Sequence, residues 1–367
     1  MRGLLAAVWA VWILAAAASA GEAASDVWIV SGQSNACGRA PAPGYEEHAL
    51  VQMSAGNKWV PAKEPLPLGG SVGPWLAAAV ETAKASGFGV KITGWASGGQ
   101  PITIWEESGS GWRALSAAIK ASGKNAGVFL WYQGESDAMN KMTQDEYETR
   151  LTDLIRRVRA EAGNPAMQVA IVQISRFGNA TATSMEIREA QRQVVLKDPH
   201  ALLVTAIGRK CDGVHLYKEG YFELGAELSR ALLKTRYGKK DTDWPGPVLD
   251  AAVLGSDGKT VGVHFAEVRK LAGALAADFG AVDADGLVKC VKVQAESTRA
   301  VLTLERAVKL PAKAVYGFGQ APEATLVDEA GNRAPAVMLE LSGGALPADA
   351  PTQCPNGAGA KPGAGKK

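Results

Sequence analysis

Short apolar runs alternate with amphipathic segments over residues 25–238 of the chain. The runs lack the polar alternation of a half-exposed strand, as expected for strands that are covered on both faces of a sheet. Five such runs predict strands at 27–31, 89–95, 127–132, 168–175 and 201–207. Their alternation with helical segments predicts an α/β fold with a doubly wound, five-stranded parallel sheet.

Two of the intervening helices carry clear end signals. The segment 73–87 has Pro74 near its first helical position and closes at Gly87. The segment 143–163 opens with Thr143 and Glu146, the spacing of a capping box. Its apolar residues recur at helical spacing and predict one buried stripe, made of Tyr147, Leu151, Leu154, Ile155 and Val158.

A second region, 245–342, has a different pattern. Its short β-type runs are separated by Gly, Pro and Asp-Gly turns, which predicts a small all-β sandwich. The boundary falls within 238–247. Residues 343–367 are rich in Gly, Pro, Ala and Lys and are expected to form a flexible tail.

The first residues are typical of a secretory signal peptide. Arg2 precedes the apolar run 4–20, which ends in Ala18-Ser19-Ala20, a small-residue cleavage site. The alternative is an uncleaved membrane anchor, since the run is only slightly shorter than a membrane span. Cleavage after residue 20 would leave a secreted or periplasmic protein without a membrane span.

Composition excludes some partners. The chain has 39 basic and 37 acidic residues, a formal net charge of +2, and it contains no H-E-x-x-H motif or zinc-type His/Cys spacing. These features do not favour a nucleic-acid partner, a metal or another cofactor. The region up to 238 is instead notable for polar clusters that follow its predicted strands.

Four such clusters fall at strand ends. They are Gly32-Gln33-Ser34-Asn35, Ala96-Ser97-Gly98-Gly99-Gln100-Pro101, Gln133-Gly134-Glu135-Ser136-Asp137 and Cys211-Asp212-Gly213-Val214-His215. Ligands of open parallel sheets bind outside the carboxyl ends of the strands, so the four clusters are expected to share one edge.

These clusters contain the parts of a nucleophilic site. A serine needs a base to take its proton and a carboxylate to orient that base. We assign these roles to Ser34, His215 and Asp212, respectively. The other histidines, His48, His200 and His264, lack such neighbours and are interpreted as structural or exposed.

An acyl-transfer site also needs hydrogen-bond donors for the developing oxyanion. The candidates are the amide of Ser34, an amide of the Gly98-Gly99 turn, and the side chain of Gln133. Glycine permits the close backbone approach that such a donor requires.

The motifs "GQSN", "SGGQPITIW", "WYQGESD" and "DGVHL" resemble the four blocks of the SGNH (GDSL-like) hydrolases, over roughly residues 26–237. They are most similar to the branch of sialate O-acetylesterases and of the acetylxylan esterases in carbohydrate esterase family six. The segment "VYGFG" resembles part of the β domain often appended to bacterial sialate O-acetylesterases. The fold of this family is flavodoxin-like. The chain has Ala36 where the G-x-S-x-G elbow of the α/β-hydrolases has its second glycine, which argues against that fold.

The resemblance implies a serine esterase that removes acetyl groups from oligo- or polysaccharide, without a cofactor. It implies Ser34 as nucleophile, His215 as base and Asp212 as its partner, with Gly99 and Gln133 beside the Ser34 amide in the oxyanion hole. Glu135 is a second candidate acid. Gln133 and Ser136 both compete for the position of the family asparagine, and Ala36 replaces the usual methionine.

Several alternatives stay open at this point. The chain could hydrolyse a non-carbohydrate ester, or be an inactive carbohydrate-binding protein. Trp105, which follows the Gly98-Gly99 turn, and Gln100 are candidate substrate contacts, whereas Trp75 and Trp112 are assigned to the core.

The four cysteines predict two disulfides. Cys37 lies three residues after Ser34, and Cys211 directly precedes Asp212, so contact between Ser34 and His215 would bring the two cysteines near each other. The predicted pairs are Cys37–Cys211 and Cys290–Cys354. The alternative is two or more free thiols.

Overall fold

The computed structural model describes residues 24–123, 126–175, 183–266, 273–296, 298–318 and 322–344. The predicted signal peptide 1–20, Cys354 and most of the predicted tail 343–367 lie outside these residues. Among the described residues, no helix is long and apolar enough to cross a membrane.

The first region, as described, is a seven-stranded sheet between two layers of helices. The strands are β1 Ser25–Gly32, β2 Val51–Ala55, β3 Lys58–Pro61, β4 Gly89–Ala96, β5 Val128–Tyr132, β6 Gln168–Gln173 and β7 Ala201–Thr205. The helices are α1 Ser34–Cys37, α2 Trp75–Ser86, α3 Ser110–Ser122, α4 Glu135–Met139, α5 Gln144–Ala162, α6 Thr183–Lys197 and α7 Lys218–Thr235. A 3-10 helix spans Ile102–Trp105.

The strand order is β3-β2-β4-β1-β5-β6-β7, and every neighbouring pair is parallel except β2 with β3. The five predicted strands are all present, but the prediction of a five-stranded sheet is wrong. The segments 51–55 and 58–61 add an antiparallel hairpin whose first strand pairs with β4. These strands are short and mostly half-exposed, so they lack the continuous apolar run that marks the others.

Both faces of the central strands are buried, as their apolar runs predict. All five residues of β5 and all five of β7 are buried. Helix α2 packs against α7 in one layer, and α3 packs against α5, which packs against α6, in the other. The capping box of Thr143 and Glu146 and the buried stripe of α5 are confirmed.

The second region is all β. Its strands are β8 Val248–Leu254, β9 Thr260–Ala266, β10 Phe279–Asp283, β11 Gly286–Glu296, β12 Arg299–Leu304, β13 Lys313–Tyr316, β14 Val337–Glu340 and β15 Ser342–Gly343. They form one continuous sheet in the order β14-β13-β10-β11-β12-β9-β8-β15, antiparallel except for β15 with β8.

Strand β11 joins the two halves of this sheet. Its first residues, up to Lys289, pair with β10 and those from Cys290 onward pair with β12, where a register shift lies between Cys290 and Lys292. Such a bulge bends the strand and increases its twist. Side chains from both halves of the sheet therefore meet in one hydrophobic core.

The two regions are joined by buried contacts near α6. The side chain of Gln173 donates to the carbonyl of Ala336 (2.9 Å) and accepts from the Ala336 amide (2.8 Å). The guanidinium of Arg188 donates to the carbonyls of Ile174, Ser175 and Gly317, the last of which belongs to the second region. The second region therefore packs on the ends of strands from the first.

Candidate active site

The site lies where the strand order reverses. The chain runs from β1 to β4 on one side of β1 and then crosses to β5 on its other side. The loops that leave these strands diverge there, and a crevice at this point is the usual ligand site of doubly wound sheets. The predicted clusters that follow β1, β4 and β5 all lie at this crevice.

A tight turn presents Ser34. Gly32 has a φ of +138°, and a Cβ there would lie 2.0 Å from the carbonyl oxygen of Tyr132. Only glycine therefore lets β1 and β5 approach this closely before the chain enters α1. The indole N–H of Trp75 donates to the carbonyl of Ala36 (2.7 Å) and fixes the short helix from the other side.

Ser34 and His215 are in contact. The Nε2 atom of His215 lies 3.0 Å from the Oγ of Ser34, although the two residues are 181 positions apart. Ser34 is buried, with 6% of its surface exposed, while the His215 side chain is 32% exposed. This is the geometry in which a histidine takes the proton of a serine hydroxyl.

Asp212 lies on the other side of the histidine ring. Its Oδ2 is 3.5 Å from the Nδ1 of His215, within ion-pair distance but longer than an ordinary hydrogen bond. Its Oδ1 accepts from the amides of Val214 (2.9 Å) and His215 (2.8 Å). Partial burial raises the pKa of Asp212, but these hydrogen bonds and the His215 charge outweigh it, so the pKa lies below its usual value.

Asn35 connects the turn that carries Ser34 to the histidine loop, which we define as residues 211–216. The sequence analysis missed this role. Its Nδ2 donates to Glu135 (2.6 Å) and to the carbonyl of Val214 (3.1 Å). Its Oδ1 accepts from the hydroxyl of Tyr221 (2.7 Å) and the amide of Leu216 (3.4 Å). The "GQSN" motif was the available signal, because the asparagine directly follows the candidate nucleophile.

The Glu135 carboxylate accepts a hydrogen bond from Asn35 and makes none with His215 among the described residues. The carboxylate is 1% exposed, and its Oε1 is the acceptor for Asn35, while its Oε2 has no hydrogen-bond partner within the described part of the chain. Burial raises the pKa of Glu135 to about 7, against the opposing effect of the Asn35 hydrogen bond. No hydrogen bond joins Glu135 to the histidine ring among the described residues, so the structure gives no support to Glu135 as a second acid.

Gln133 is not available as an oxyanion donor. Its side chain is fully buried, and its Nε2 donates to the carbonyl of Gln100 (3.0 Å), the Oε1 of Gln33 (3.3 Å) and the carboxylate of Asp137. It cross-links the loops after β1, β4 and β5. The prediction failed because the apolar strand β5 carries Gln133 into the interior, where a buried amide group is satisfied by neighbouring acceptors and does not face the substrate.

Ser34 and the Gly98-Gly99 turn fit the oxyanion assignment better. A Cβ on Gly98 would lie 3.5 Å from the Cβ of Ser34, so the turn passes directly beside the serine. Gly99 has a φ of +71° and faces open space. Among the described residues, neither the Ser34 amide nor the Gly99 amide has a hydrogen-bond acceptor.

The two candidate substrate contacts differ. Trp105 is fully buried, donates to the hydroxyl of Ser31 (2.9 Å) and packs edge-on against Trp95 and Trp131. The prediction that Trp105 contacts substrate is therefore wrong. Gln100 is half-buried and its side chain lies over the carbonyl of Gly98 (3.4 Å), so it stays a prediction.

The predicted Cys37–Cys211 disulfide is also wrong. Both residues are buried, and neither forms a disulfide. Cys37 packs against Gly70, because a Cβ added to Gly70 would lie 2.6 Å from the Cβ of Cys37. Cys211 forms an antiparallel β-bridge with Leu216 across the histidine loop. Contact between Ser34 and His215 does not bring these two side chains within bonding distance. Cys290 forms no disulfide with a described residue, and its predicted partner Cys354 lies outside them.

No group of three or more His, Cys, Asp or Glu side chains in the described residues is placed to hold a metal ion. His264 pairs with Asp250 (2.7 Å) in the β region, far along the chain from the strand-end clusters.

Comparison with known proteins identifies the family of this chain. Residues 24–234, more than half of the chain, match the family described as carbohydrate esterase, sialic acid-specific acetylesterase. The chain belongs to this family. The match covers the first region up to residue 234 and includes Ser34, Asp212 and His215.

Individual relatives and solved structures extend the comparison. A probable carbohydrate esterase of Arabidopsis thaliana is 27% identical over 243 residues, which cover 57% of this chain and 90% of the relative. The crystal structure of this same Arabidopsis thaliana protein has a TM-score of 0.52 at 25% identity, and the match covers 57% of this chain and 98% of the crystallised chain.

A carbohydrate acetylesterase from Xanthomonas citri shares the fold over a longer range. Its TM-score is 0.65 at 18% identity, and the match covers 86% of this chain and 80% of that protein. This coverage exceeds the family match, so the shared architecture continues beyond residue 234 into the β region.

Proposed function

We propose that this protein is a serine esterase that removes O-acetyl groups from carbohydrate through a covalent acetyl-enzyme. Membership of the carbohydrate esterase family supplies the reaction class. The contact between His215 Nε2 and Ser34 Oγ is the observation that carries the mechanism.

The first half of the reaction transfers the acetyl group to the serine. The Oγ of Ser34 attacks the ester carbonyl while His215 takes its proton, and Asp212 stabilises the charged imidazole ring. The oxyanion accepts hydrogen bonds from the amides of Ser34 and Gly99. The bond between the acyl carbon and the sugar oxygen then breaks, and His215 returns the proton to that oxygen.

The second half releases acetate. A water molecule attacks the acetyl-serine with His215 as its base, through the same oxyanion site. The acyl–Oγ bond breaks, Ser34 regains its proton, and acetate leaves. Every proton in this cycle passes through His215, so the mechanism needs no metal or organic cofactor.

Serine replacement tests the mechanism. Ser34→Ala should lower kcat on p-nitrophenyl acetate by about 10⁴–10⁶-fold with the fold intact, and His215→Ala by a similar factor. Ser184→Ala is the matched control, because Ser184 is also buried and its hydroxyl has no partner among the described residues. Near-normal turnover of Ser34→Ala would refute the assignment. A serine-directed phosphonate should add its mass to the peptide that contains Ser34.

A substrate screen tests the carbohydrate assignment. Acetate release from acetylated xylan and from O-acetylated sialic acid should exceed release from acetylated lipids and simple aryl esters. Turnover confined to non-carbohydrate esters would favour the first alternative, and carbohydrate binding without any acetate release would favour the inactive binding protein.

We also propose that the mature protein is secreted or periplasmic, on the basis of the charged start and the apolar run 4–20. Cleavage would place Gly21 at the new terminus. Amino-terminal sequencing of protein exported by its host would show Gly21 first, and an intact Met1 in the exported fraction would refute cleavage.

A further inference from the structure

Arg39 lies at the rim of the site on a rigid part of the backbone. Gly38 has a φ of +85°, and a Cβ there would meet the carbonyl of Val72 at 2.7 Å. The carbonyl of Gly38 accepts from the amide of Ser71 (3.0 Å), and Ala40 pairs with Val72 through two hydrogen bonds (3.1 and 3.2 Å). The backbone is therefore fixed on both sides of the arginine.

The guanidinium of Arg39 extends over the Gly98-Gly99 turn. A Cβ on Gly98 would lie 2.4 Å from Nη2 of Arg39 and 3.5 Å from the Cβ of Ser34. These distances place Nη2 within about 6 Å of the Ser34 Cβ. The missing side chain of Gly98 leaves the space that the guanidinium occupies, beside the serine that the substrate must reach.

This positive charge has no carboxylate partner among the described residues. Arg39 is exposed and forms no ion pair there. Two carboxylates of the site are engaged elsewhere, Asp212 by the amides of Val214 and His215 and Glu135 by Asn35. A guanidinium presents several N–H donors in a plane and matches the two oxygens of a carboxylate.

The acetyl ester itself does not need such a group. It is neutral in the ground state, and the amides of Ser34 and Gly99 are placed for the oxyanion. An unpaired guanidinium beside the serine is instead complementary to an anionic group on the part of the substrate that carries the ester.

We propose that Arg39 is a specificity determinant that binds the carboxylate of a sugar acid, so that the enzyme prefers acetylated sialic or uronic acids over neutral acetylated sugars. This inference rests on the proposed function, because it concerns the sugar side of the same ester.

Matched substrates separate this role from a general effect on the oxyanion. The first pair is O-acetylated N-acetylneuraminic acid and the same sugar with its carboxylate converted to the primary amide. The second pair is an acetylated methyl glucuronoside and its amide. An arginine that only stabilised the oxyanion would act equally on both members of each pair.

The test compares wild type with Arg39→Gln and Arg39→Lys. Arg39→Gln should lower kcat/KM on the acid of the preferred pair by about 10–100-fold, mainly through KM, as loss of one charged hydrogen-bonded contact predicts. The amides and p-nitrophenyl acetate should change by less than about twofold. Arg39→Lys keeps the charge but not the paired donors and should fall in between.

Arg156→Gln is the matched control, because Arg156 is an exposed arginine on the outer face of α5. It should leave all ratios unchanged. Equal losses on acid and amide with Arg39→Gln, or no loss on either, would overturn the proposal. Circular dichroism of each variant checks the fold. The substrate pair in which Arg39→Gln lowers kcat/KM more on the acid than on the amide shows whether the preferred sugar acid is a sialic or a uronic acid.

A binding measurement keeps this inference separate from the proposed function. Absence of acetate release from every acetylated sugar would refute the esterase proposal alone. Ser34→Ala, titrated by NMR with N-acetylneuraminic acid, glucuronic acid and their amides, should still bind one acid about 10-fold or more tighter than its amide, and adding Arg39→Gln should abolish the difference. Equal binding of acids and amides would overturn the role of Arg39.

Discussion

Two acidic residues near His215 have separate tasks at the residue scale. Asp212 faces the ring and is 51% exposed, whereas Glu135 is buried and holds Asn35. A carboxylate that faces the ring stabilises the imidazolium directly, while one that binds Asn35 acts only on the position of the loops. Exchange of each acid for its amide therefore separates electrostatic from positional effects.

Asp212→Asn should lower kcat on an acetyl ester by about 10⁴-fold, because a neutral amide does not stabilise the imidazolium. Glu135→Gln keeps an oxygen that accepts from Asn35 and should cost about 10-fold or less. Steady-state kinetics of the two variants provide the comparison, and a larger loss at Glu135 would exchange the two roles.

The raised pKa of Glu135 also predicts a pH dependence of stability. Its pKa of about 7 in the folded protein lies above its ordinary value of 4.5, so the folded state binds this proton more tightly than the unfolded chain. The free energy of unfolding therefore falls as the pH rises from about 4.5 to about 7, by up to about 3 kcal/mol from this group.

Glu135→Gln should remove this contribution, so that its unfolding free energy falls less over the same range. Burial also raises the pKa of Asp137, to about 6. In the Glu135→Gln variant this group therefore still makes the unfolding free energy fall with rising pH, but less steeply than in wild type. Urea denaturation at several pH values measures both slopes. Parallel curves for wild type and variant would contradict the assignment.

At the scale of elements, the sequence predicts what depends on periodicity and local end signals. The five buried strands and the helices at 75–86 and 144–162 follow from apolar runs, Pro74, Gly87 and the Thr143 box. The edge hairpin β2–β3 was missed because its residues alternate too briefly and are only half-buried. Its turn, Gly56-Asn57, was the one local signal for it.

In the candidate site, too, the sequence predicts residue types and strand ends better than the directions of side chains. Ser34, Asp212 and His215 were selected by residue type and strand end, and the fold brings them together. The tasks of Gln133 and Trp105 depend on which way a side chain points from a loop into a three-dimensional crevice. Residue type does not specify that direction, so both were assigned to the site although both are buried.

The turn between β1 and α1 predicts a strong effect of glycine replacement. Gly32→Ala would place a Cβ 2.0 Å from the Tyr132 carbonyl at a φ of +138°, so it combines strain with a backbone clash. It should destabilise the protein by several kcal/mol, roughly 3–5, and lower activity by displacing Ser34.

Gly87→Ala is the matched control at the end of α2. Gly87 also has a positive φ, +78°, but nothing lies within 4 Å of a Cβ there, so only about 1 kcal/mol should be lost. Thermal or urea unfolding of both variants gives the comparison. Equal losses would show that the close approach of β1 and β5 is not what requires glycine at 32.

At the scale of the whole molecule, the two regions share buried polar groups. Gln173, at the end of β6, exchanges two hydrogen bonds with the backbone of Ala336, and Arg188 donates to Gly317. The side chains of Met185 and Ile207, from the first region, lie in the hydrophobic core of the second. Separation of the regions would expose these groups, so we expect them to unfold together.

Two intrinsic probes report the two regions separately. Every tryptophan of the described residues lies at or before Trp244, so tryptophan fluorescence reports the first region, while the buried thiol of Cys290 reports the β region in reduced protein. In wild type, the fluorescence change and the labelling of Cys290, located by peptide mass, should have the same urea midpoint. Labelling of Cys290 well below the fluorescence midpoint would show that the regions unfold independently.

Gln173→Leu should separate the two transitions. It leaves the amide and the carbonyl of Ala336 buried without their partner, which costs the contact between the regions about 2–4 kcal/mol. It also removes the hydrogen bonds of Gln173 with the Arg188 carbonyl and the Thr205 hydroxyl inside the first region, so the fluorescence midpoint should fall as well, but by less. Cys290 should then label at a lower urea concentration than the fluorescence midpoint. Gln168→Leu, at the other end of β6, removes only an exposed hydrogen bond to the carbonyl of His200 and should leave the midpoints together. Coincident midpoints in Gln173→Leu would mean that apolar packing, and not this pair of hydrogen bonds, couples the regions.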